Sequence, residues 1–255
     1  MSDVTVIDWE GFQALALESE RLRLVCIPEL GAKIVSLLDK KHSQEWLVSP
    51  MRPLKKLFYG AEFTLQDMSG WDEMMPTITA CTWNGLAMPD HGEVWSIPWQ
   101  VKENGNMISL SVASPTLPYR LSRDLALTAP DRLEMRYRLE HTGGGLTLPY
   151  IWAAHPQFIA DEHTRVILPG EVKKVLNVIE NDPLWGEAGT FCTMPLSEGV
   201  DGKVYDLTRV RPVENHACRK FYLPPWQAVN WAGLRHERKG CELRLSWPAE
   251  EVPYL

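Results

Sequence analysis

Polar and apolar residues alternate with a period of two along much of the chain. Leu133, Met135, Tyr137 and Leu139 alternate with Arg132, Glu134, Arg136, Arg138 and Glu140. In an extended strand that pattern turns one set toward a core and the other toward water. Ile108, Leu110 and Val112 interleave with Ser109 and Ser111, and Tyr119, Leu121, Leu125 and Leu127 share a face broken only by Arg123. Leu243, Leu245 and Trp247 repeat the pattern against Glu242, Arg244 and Ser246. Turn residues fall between these runs. Asn104-Gly105 separates residues 95–101 from 107–112, and both of its positions tolerate φ > 0, as a tight hairpin requires. Gly143-Gly144-Gly145 divides the 132–140 strand from an apolar run at 146–154, and Pro130-Asp131 breaks the chain between two further strands. Strands at this spacing predict an all-β, mainly antiparallel sandwich or barrel rather than βαβ units. Residues 50–78, with three Pro and little alternation, read as a long loop with room for function, and 180–200 as a second irregular excursion.

Composition narrows the possibilities. The chain has 255 residues, 45% of them hydrophobic, and 11 Trp, enough for one sizeable core; no linker divides it, so a single domain over 1–255 is expected. A net charge of −7 argues against nucleic acid as a partner, which needs a clustered basic surface. The five Cys are widely spaced and form no CxxC pair. His42, His91, His141, His155, His163, His216 and His236 include no His-x-His pair. Neither a disulfide framework, a structural zinc site nor a cupin-like metal centre is therefore expected, and no cofactor is implied. Met1 leads into Ser2-Asp3-Val4 without a basic and then apolar leader, and no window holds eighteen consecutive apolar residues. The expectation is a cytoplasmic protein with no membrane partner.

Two histidine segments carry the candidate chemistry. Pro89-Asp90-His91-Gly92-Glu93-Val94-Trp95 runs on to Pro98-Trp99, and Pro149-Tyr150-Ile151-Trp152-Ala153-Ala154-His155-Pro156-Gln157-Phe158 forms the second. Each sets an imidazole beside a backbone-restricting residue and among Trp rings. Aromatic faces with a few polar groups suit a sugar, whose C–H faces stack on rings while side chains read its hydroxyls. Histidine suits proton transfer because its unperturbed pKa, about 6.5, lies near neutrality. A histidine in a β-protein is nevertheless more often a satisfied core or surface residue, and Gly92 and Pro156 can simply shape turns. Spacing alone leaves both readings open.

With these two segments in this order, the chain resembles the aldose 1-epimerase (galactose mutarotase-like) superfamily. His91-Gly92 followed by Pro98-Trp99 is similar to its first histidine motif, and His155-Pro156-x-Phe158 to its second. The resemblance covers most of the chain and implies an antiparallel β-sandwich, the galactose mutarotase-like supersandwich, with a small-molecule sugar in a concave cleft. In that family a carboxylate takes the anomeric proton, a histidine protonates the ring oxygen, and the opened sugar rotates before it recloses. By position His155 is the implied acid, and His91 orients the ring oxygen or a neighbouring hydroxyl. Gly70-Trp71-Asp72-Glu73-Met74-Met75-Pro76-Thr77 falls where family members carry a substrate loop. Asp72 and Glu73 stand where many mutarotases have arginine, so galactose is not assumed as the sugar. Trp71 and Trp95 are the implied stacking rings, and Asp72, Glu73 and Glu93 the implied hydroxyl acceptors.

The family's catalytic glutamate lies beyond a strand similar to 241–247, and Glu250 and Glu251 stand too early to fill that role. Either the closing strands are absent, leaving a sheet edge that a second copy could cover, or another carboxylate acts as base. The resemblance thus implies an anomer-interconverting isomerase, with a non-catalytic carbohydrate-binding or regulatory module as the alternative.

Overall fold

In the computed structural model, residues 3–102, 105–145, 147–212, 214, 218–224 and 226–255 are described. The alternating runs become strands, and no α-helix occurs among these residues; short 3-10 turns stand at Phe63–Leu65 and Val94–Ser96. The strands of each sheet pair antiparallel, as the two-residue period and short turns require. The contacts divide the chain into two units, Met1–Ile159 and Ala160–Leu255.

In the first unit, β1 (Thr5–Trp9), β2 (Phe12–Glu18), β3 (Leu22–Ile27), β4 (Lys33–Asp39), β5 (Gln44–Glu45), β6 (Trp71–Met74), β7 (Cys81–Trp83), β8 (Leu86–Met88), β9 (Gln100–Lys102), β10 (Ile108–Ala113), β11 (Tyr119–Ala129), β12 (Arg132–His141) and β13 (Ala153–Pro156) follow in order. One sheet runs β1-β2-β3-β4-β6-β13 with β5 beside β4; another runs β12-β11-β10-β9. The two sheets pack face to face as a sandwich. Leu121, Arg123 and Leu125 of β11 are buried, and the Arg123 guanidinium reaches Glu73 of β6 and Cys26 of β3. The opposite face of the larger sheet is also covered: Phe12, Ala14, Ala16, Val25, Ile27 and Val35 pack with Leu54 from the 50–70 segment. Along β2, β3 and β4 both faces of this sheet are therefore largely dry, whereas β1 is mostly exposed and β13 half-buried.

In the second unit, β14 (Thr164–Ile167), β15 (Lys174–Asn177), β16 (Phe191–Thr193), β17 (Leu196–Glu198), β18 (Val204–Asp206), β19 (Phe221–Tyr222), β20 (Trp231–His236) and β21 (Cys241–Ser246) form sheets in the orders β14-β20-β21, β16-β15-β19 and β17-β18. Its core gathers Val172, Val175, Trp185, Cys192, Leu207, Leu223 and Val229. Among the described residues β14 and β21 are the two end strands of their sheet.

Three local expectations change. Residues 95–101 are not a strand throughout: Val94–Ser96 is a 3-10 turn and β9 starts at Gln100, because Pro98 lacks a donor and restricts Ile97 before it. The hairpin itself forms, with Lys102 opposite Ser109, while Asn104 lies outside the described residues. The 180–200 excursion contains β16 and β17. Residues 71–74, expected within a loop, form β6 between β4 and β13. All four are buried, so no alternation of apolar with exposed polar positions could mark the strand.

Candidate functional site

Strand β6 is the centre of the site, and its pleat decides what each acid does. Successive side chains point to opposite faces, so Asp72 and Glu73 cannot share an environment. Ile34 of β4 is opposite Trp71, which places Trp71 and Glu73 on the sandwich-interior side. There Glu73 Oε1 accepts from Arg123 Nη1 at 2.7 Å and Tyr137 Oη at 2.8 Å, and Oε2 accepts from Trp152 Nε1 at 3.0 Å. Burial pushes the Glu73 carboxyl upward against the opposing pull of Arg123. Burial would by itself lower the Arg123 guanidinium, but the Glu73 charge outweighs it and holds it firmly protonated.

Asp72 faces the other way. Its Oδ2 accepts from Lys33 Nζ at 2.9 Å, and Lys33 also donates to Asp67 Oδ2 at 2.8 Å and Ser69 O at 3.0 Å. One ammonium thus serves two carboxylates, all three nearly or fully buried. Burial raises the Asp72 carboxyl, with Lys33 opposing. Burial would lower Lys33, yet the Asp72 and Asp67 charges together raise it. Directly across the ladder from Asp72 lies His155 of β13, on the same face.

His91 arrives from the loop after β8. His91 and Gly92 both take positive φ, 61° and 72°. Backbone bonds from His91 N to Ile78 O (3.1 Å) and from Glu93 N to Met75 O (2.7 Å) tie this turn to the segment following β6. A Cβ on Gly92 would lie 2.2 Å from Met75 O, so only glycine permits the approach. The result is a tight aromatic group. The rings of His91 and His155 are 5.3 Å apart, Phe63 stacks on His91 at 3.9 Å and 6°, and it meets His155 edge-on at 5.3 Å. Trp95 closes on Phe63 from behind at 5.1 Å. His91 Nδ1 lies 2.6 Å from Asp90 Oδ2. A carboxylate only accepts, so Nδ1 carries the hydrogen and a neutral His91 offers Nε2 as its acceptor.

Of the residues singled out from the sequence, the structure brings His91 and His155 together, and both are half-buried. The others are less accessible than expected. Trp71 and Trp95 are buried, and Trp71 packs edge-on against Phe158 at 6.1 Å. Asp72 and Glu73 are fully buried rather than lining a rim, because ion pairs with Lys33 and Arg123 allow acids inside a dry sheet. Glu93 is fully buried too; its oxygens accept from Ser114 Oγ (2.6 Å), Tyr119 Oη (2.9 Å), Tyr59 Oη (3.4 Å) and Thr116 Oγ1. Four hydroxyls saturate it, and it braces the turn behind His91. Phe63, Asp90, Lys33 and Asp67 are not marked as site residues by the sequence. Asp90 stands inside the first histidine segment, and Phe63 and Asp67 lie in the long stretch with room for function. Among the described residues no cluster of three or more His, Cys, Asp or Glu is arranged for a metal ion.

No family model matches the sequence, and no curated protein matches it either. Solved structures do match its fold. A galactose mutarotase-like protein from Lactobacillus casei aligns with a TM-score of 0.58 at 15% identity, over 95% of this chain and 81% of that one. A galactose mutarotase-like protein from Clostridium acetobutylicum aligns with a TM-score of 0.57 at 12% identity, over 94% and 80% respectively. A TPR-domain containing protein from Parabacteroides distasonis aligns with a TM-score of 0.55 at 14% identity, over 91% of this chain but only 35% of its own length. The chain has the galactose mutarotase-like fold; at these identities its chemistry has to be argued from the site.

Proposed function

We propose that the chain is an aldose 1-epimerase-like protein that binds a sugar against His91 and His155 and interconverts its anomers by acid/base ring opening. The observation that carries this reading is the meeting of the two half-buried imidazoles, 5.3 Å apart, on one aromatic surface. His91, with Nδ1 committed to Asp90, has Nε2 free to take the anomeric proton. As that O–H bond breaks, the C1=O1 bond forms, the C1–O5 bond breaks toward O5, and His155 gives its proton to O5. Rotation about C1–C2 and the reverse transfers close the other anomer and restore both histidines. Phe63 keeps the two rings at a fixed angle, so neither proton transfer waits on a rotamer search.

Asp67, Asp72 and Asp90 outnumber Lys33 around this surface. That balance repels a second negative charge and favours a neutral aldose over a phosphorylated one. No helix among the described residues is long and apolar enough to cross a membrane. A cytoplasmic setting, and a second copy adding along the β21 edge, belong to the same reading. Saturation-transfer NMR on a panel of aldoses tests it. We expect faster α-to-β exchange with the wild-type chain and a loss of about 10²- to 10⁴-fold in His155→Gln, the range of one general acid. Sugar binding without exchange would support the binding-module alternative, and neither binding nor exchange would refute both.

A further inference from the structure

We infer that Asp72 is the positioning residue of the histidine pair, a buried counter-ion for the one proton that the pair passes between its members. The inference rests on the acid/base reading above, in which His91 gains a proton as His155 loses one, so the pair always holds one.

The carboxylates near the pair can be sorted by what their oxygens already do. Glu73 lies on the opposite face of β6 with both oxygens bonded. Glu93 is saturated by four hydroxyls. Asp90 holds His91 Nδ1 from the outer side and is partly exposed. Asp67 turns its Oδ2 to Lys33 and Ser69 Oγ. Asp72 differs from all of these. It is wholly buried, its Oδ2 is on Lys33, and its Oδ1 has no hydrogen-bond partner among the described residues. A dry, unpartnered carboxylate oxygen is costly to keep, and such an atom calls for a reason.

The reason offered by the geometry is its neighbour. Asp72 and His155 are opposed residues on one face of an antiparallel ladder, a relation that sets Cβ atoms about 4.5–5.5 Å apart. The Asp72 charge also falls on His91. A fixed carboxylate under both rings favours a proton on either one, so its transfer between them separates little charge. Lys33 and Asp67 hold that carboxylate in place without neutralising it, since one ammonium is divided between two acids.

Asp72→Asn tests this, with Asp67→Asn as the comparison, because each removes one negative charge from beside the same Lys33 Nζ. A charge-assisted hydrogen bond lost only in the reacting state lowers kcat by about 10- to 100-fold. We expect that drop in Asp72→Asn with KM unchanged, and a smaller drop in Asp67→Asn, which keeps the Asp72 carboxylate but leaves it the undivided charge of Lys33. Equal kcat in the two variants overturns the inference. Imidazole ¹⁵N shifts of His91 and His155 in the sugar-free protein decide the matter even if no aldose is turned over. Shifts that move further in Asp72→Asn than in Asp67→Asn support the role, and shifts that move equally in both or stay put overturn it. Should Asp72→Asn fail to fold, the ¹³C carboxyl resonance of Asp72 compared between wild type and His155→Gln answers the same question: a displaced resonance supports the coupling, an unmoved one removes it.

Discussion

Replacing Arg123 by Met should unlock the sandwich in a pH-dependent way. The guanidinium is fully buried between the sheets, donating to Glu73 Oε1 at 2.7 Å and to Ala32 O, with Trp99 5.5 Å away. Met fills similar volume but leaves Glu73 in a dry site with two neutral donors, Tyr137 and Trp152. Breaking a buried pair by removing one partner costs about 3–5 kcal/mol. The carboxyl has an escape, because burial already pushes it upward and loss of Arg123 pushes it further, so the acid can protonate. The sign follows from linkage. A carboxyl whose folded pKa lies above its unfolded value, about 4.3, contributes fully below that value and loses the contribution as pH rises through the folded pKa. Arg123→Met should therefore lose stability more steeply than wild type between pH 5 and pH 8. Adding Glu73→Gln should restore part of the loss and flatten the profile. Urea unfolding at several pH values measures this, with hydrogen exchange on β6 and β11 peptides reporting the affected unit. A cost below about 1 kcal/mol that does not change with pH would refute the reasoning, since it would mean Glu73 is already neutral.

Two further outcomes follow from the same geometry. Gly92→Ala puts a Cβ 2.2 Å from Met75 O at a φ of 72°, so it should cost about 1–3 kcal/mol and shift His91, lowering exchange activity. Gly85→Ala, at a φ of 79° but with open space around it, should cost about 1 kcal/mol and leave activity intact; equal losses in thermal melts and turnover would refute the role given to the Met75 contact. Cys81 and Cys218 are exposed whereas Cys26, Cys192 and Cys241 are buried, and burial pushes the Cys26 thiol up to about 11. Ellman's reagent should thus titrate two thiols quickly in the native chain and five after denaturation, and fast labelling of Cys26 itself, located by peptide mapping, would count against the packing around Arg123 and Cys26.

Strands with one wet face were legible from the sequence, and those with two dry faces were not. β12 shows its period because Arg136 and Arg138 reach water between Met135, Tyr137 and Leu139. β6 reads Trp-Asp-Glu-Met with every position buried, so its charges resemble a solvated loop until their partners are known. Those partners, Lys33 and Arg123, lie 39 and 50 residues away along the chain. Arg123 did leave a trace as the one charge on an otherwise apolar face of β11. The histidines stood out because each sits in a local motif, and the structure brings their rings together. Phe63 did not stand out, since nothing in its neighbours marks a ring that stacks on His91 only once the chain between the two has folded back.

The chemistry of the site is finally a matter of register. Two adjacent acids on one strand must face opposite ways, so a slip of one residue in β6 would exchange them. Glu73 would then lie under His155, and Asp72 would turn to the sandwich interior in the place of Trp71. The partners discriminate against this. Arg123 crosses the sandwich to reach a carboxylate on a two-methylene arm, and Tyr137 and Trp152 are placed for the same carboxylate. Lys33 meets the shorter acid from within the same sheet. Gly70 adds a steric lock: with φ at 69°, a Cβ there would lie 2.6 Å from Ile34 O, so the chain enters β6 at one position only. Gly92 locks the other end against Met75. A short strand held by two close-approach glycines thus keeps one acid as a structural tie and the other beneath the histidines. Substitutions at Glu73 should accordingly be read in stability and substitutions at Asp72 in turnover, although the two side chains are neighbours in sequence.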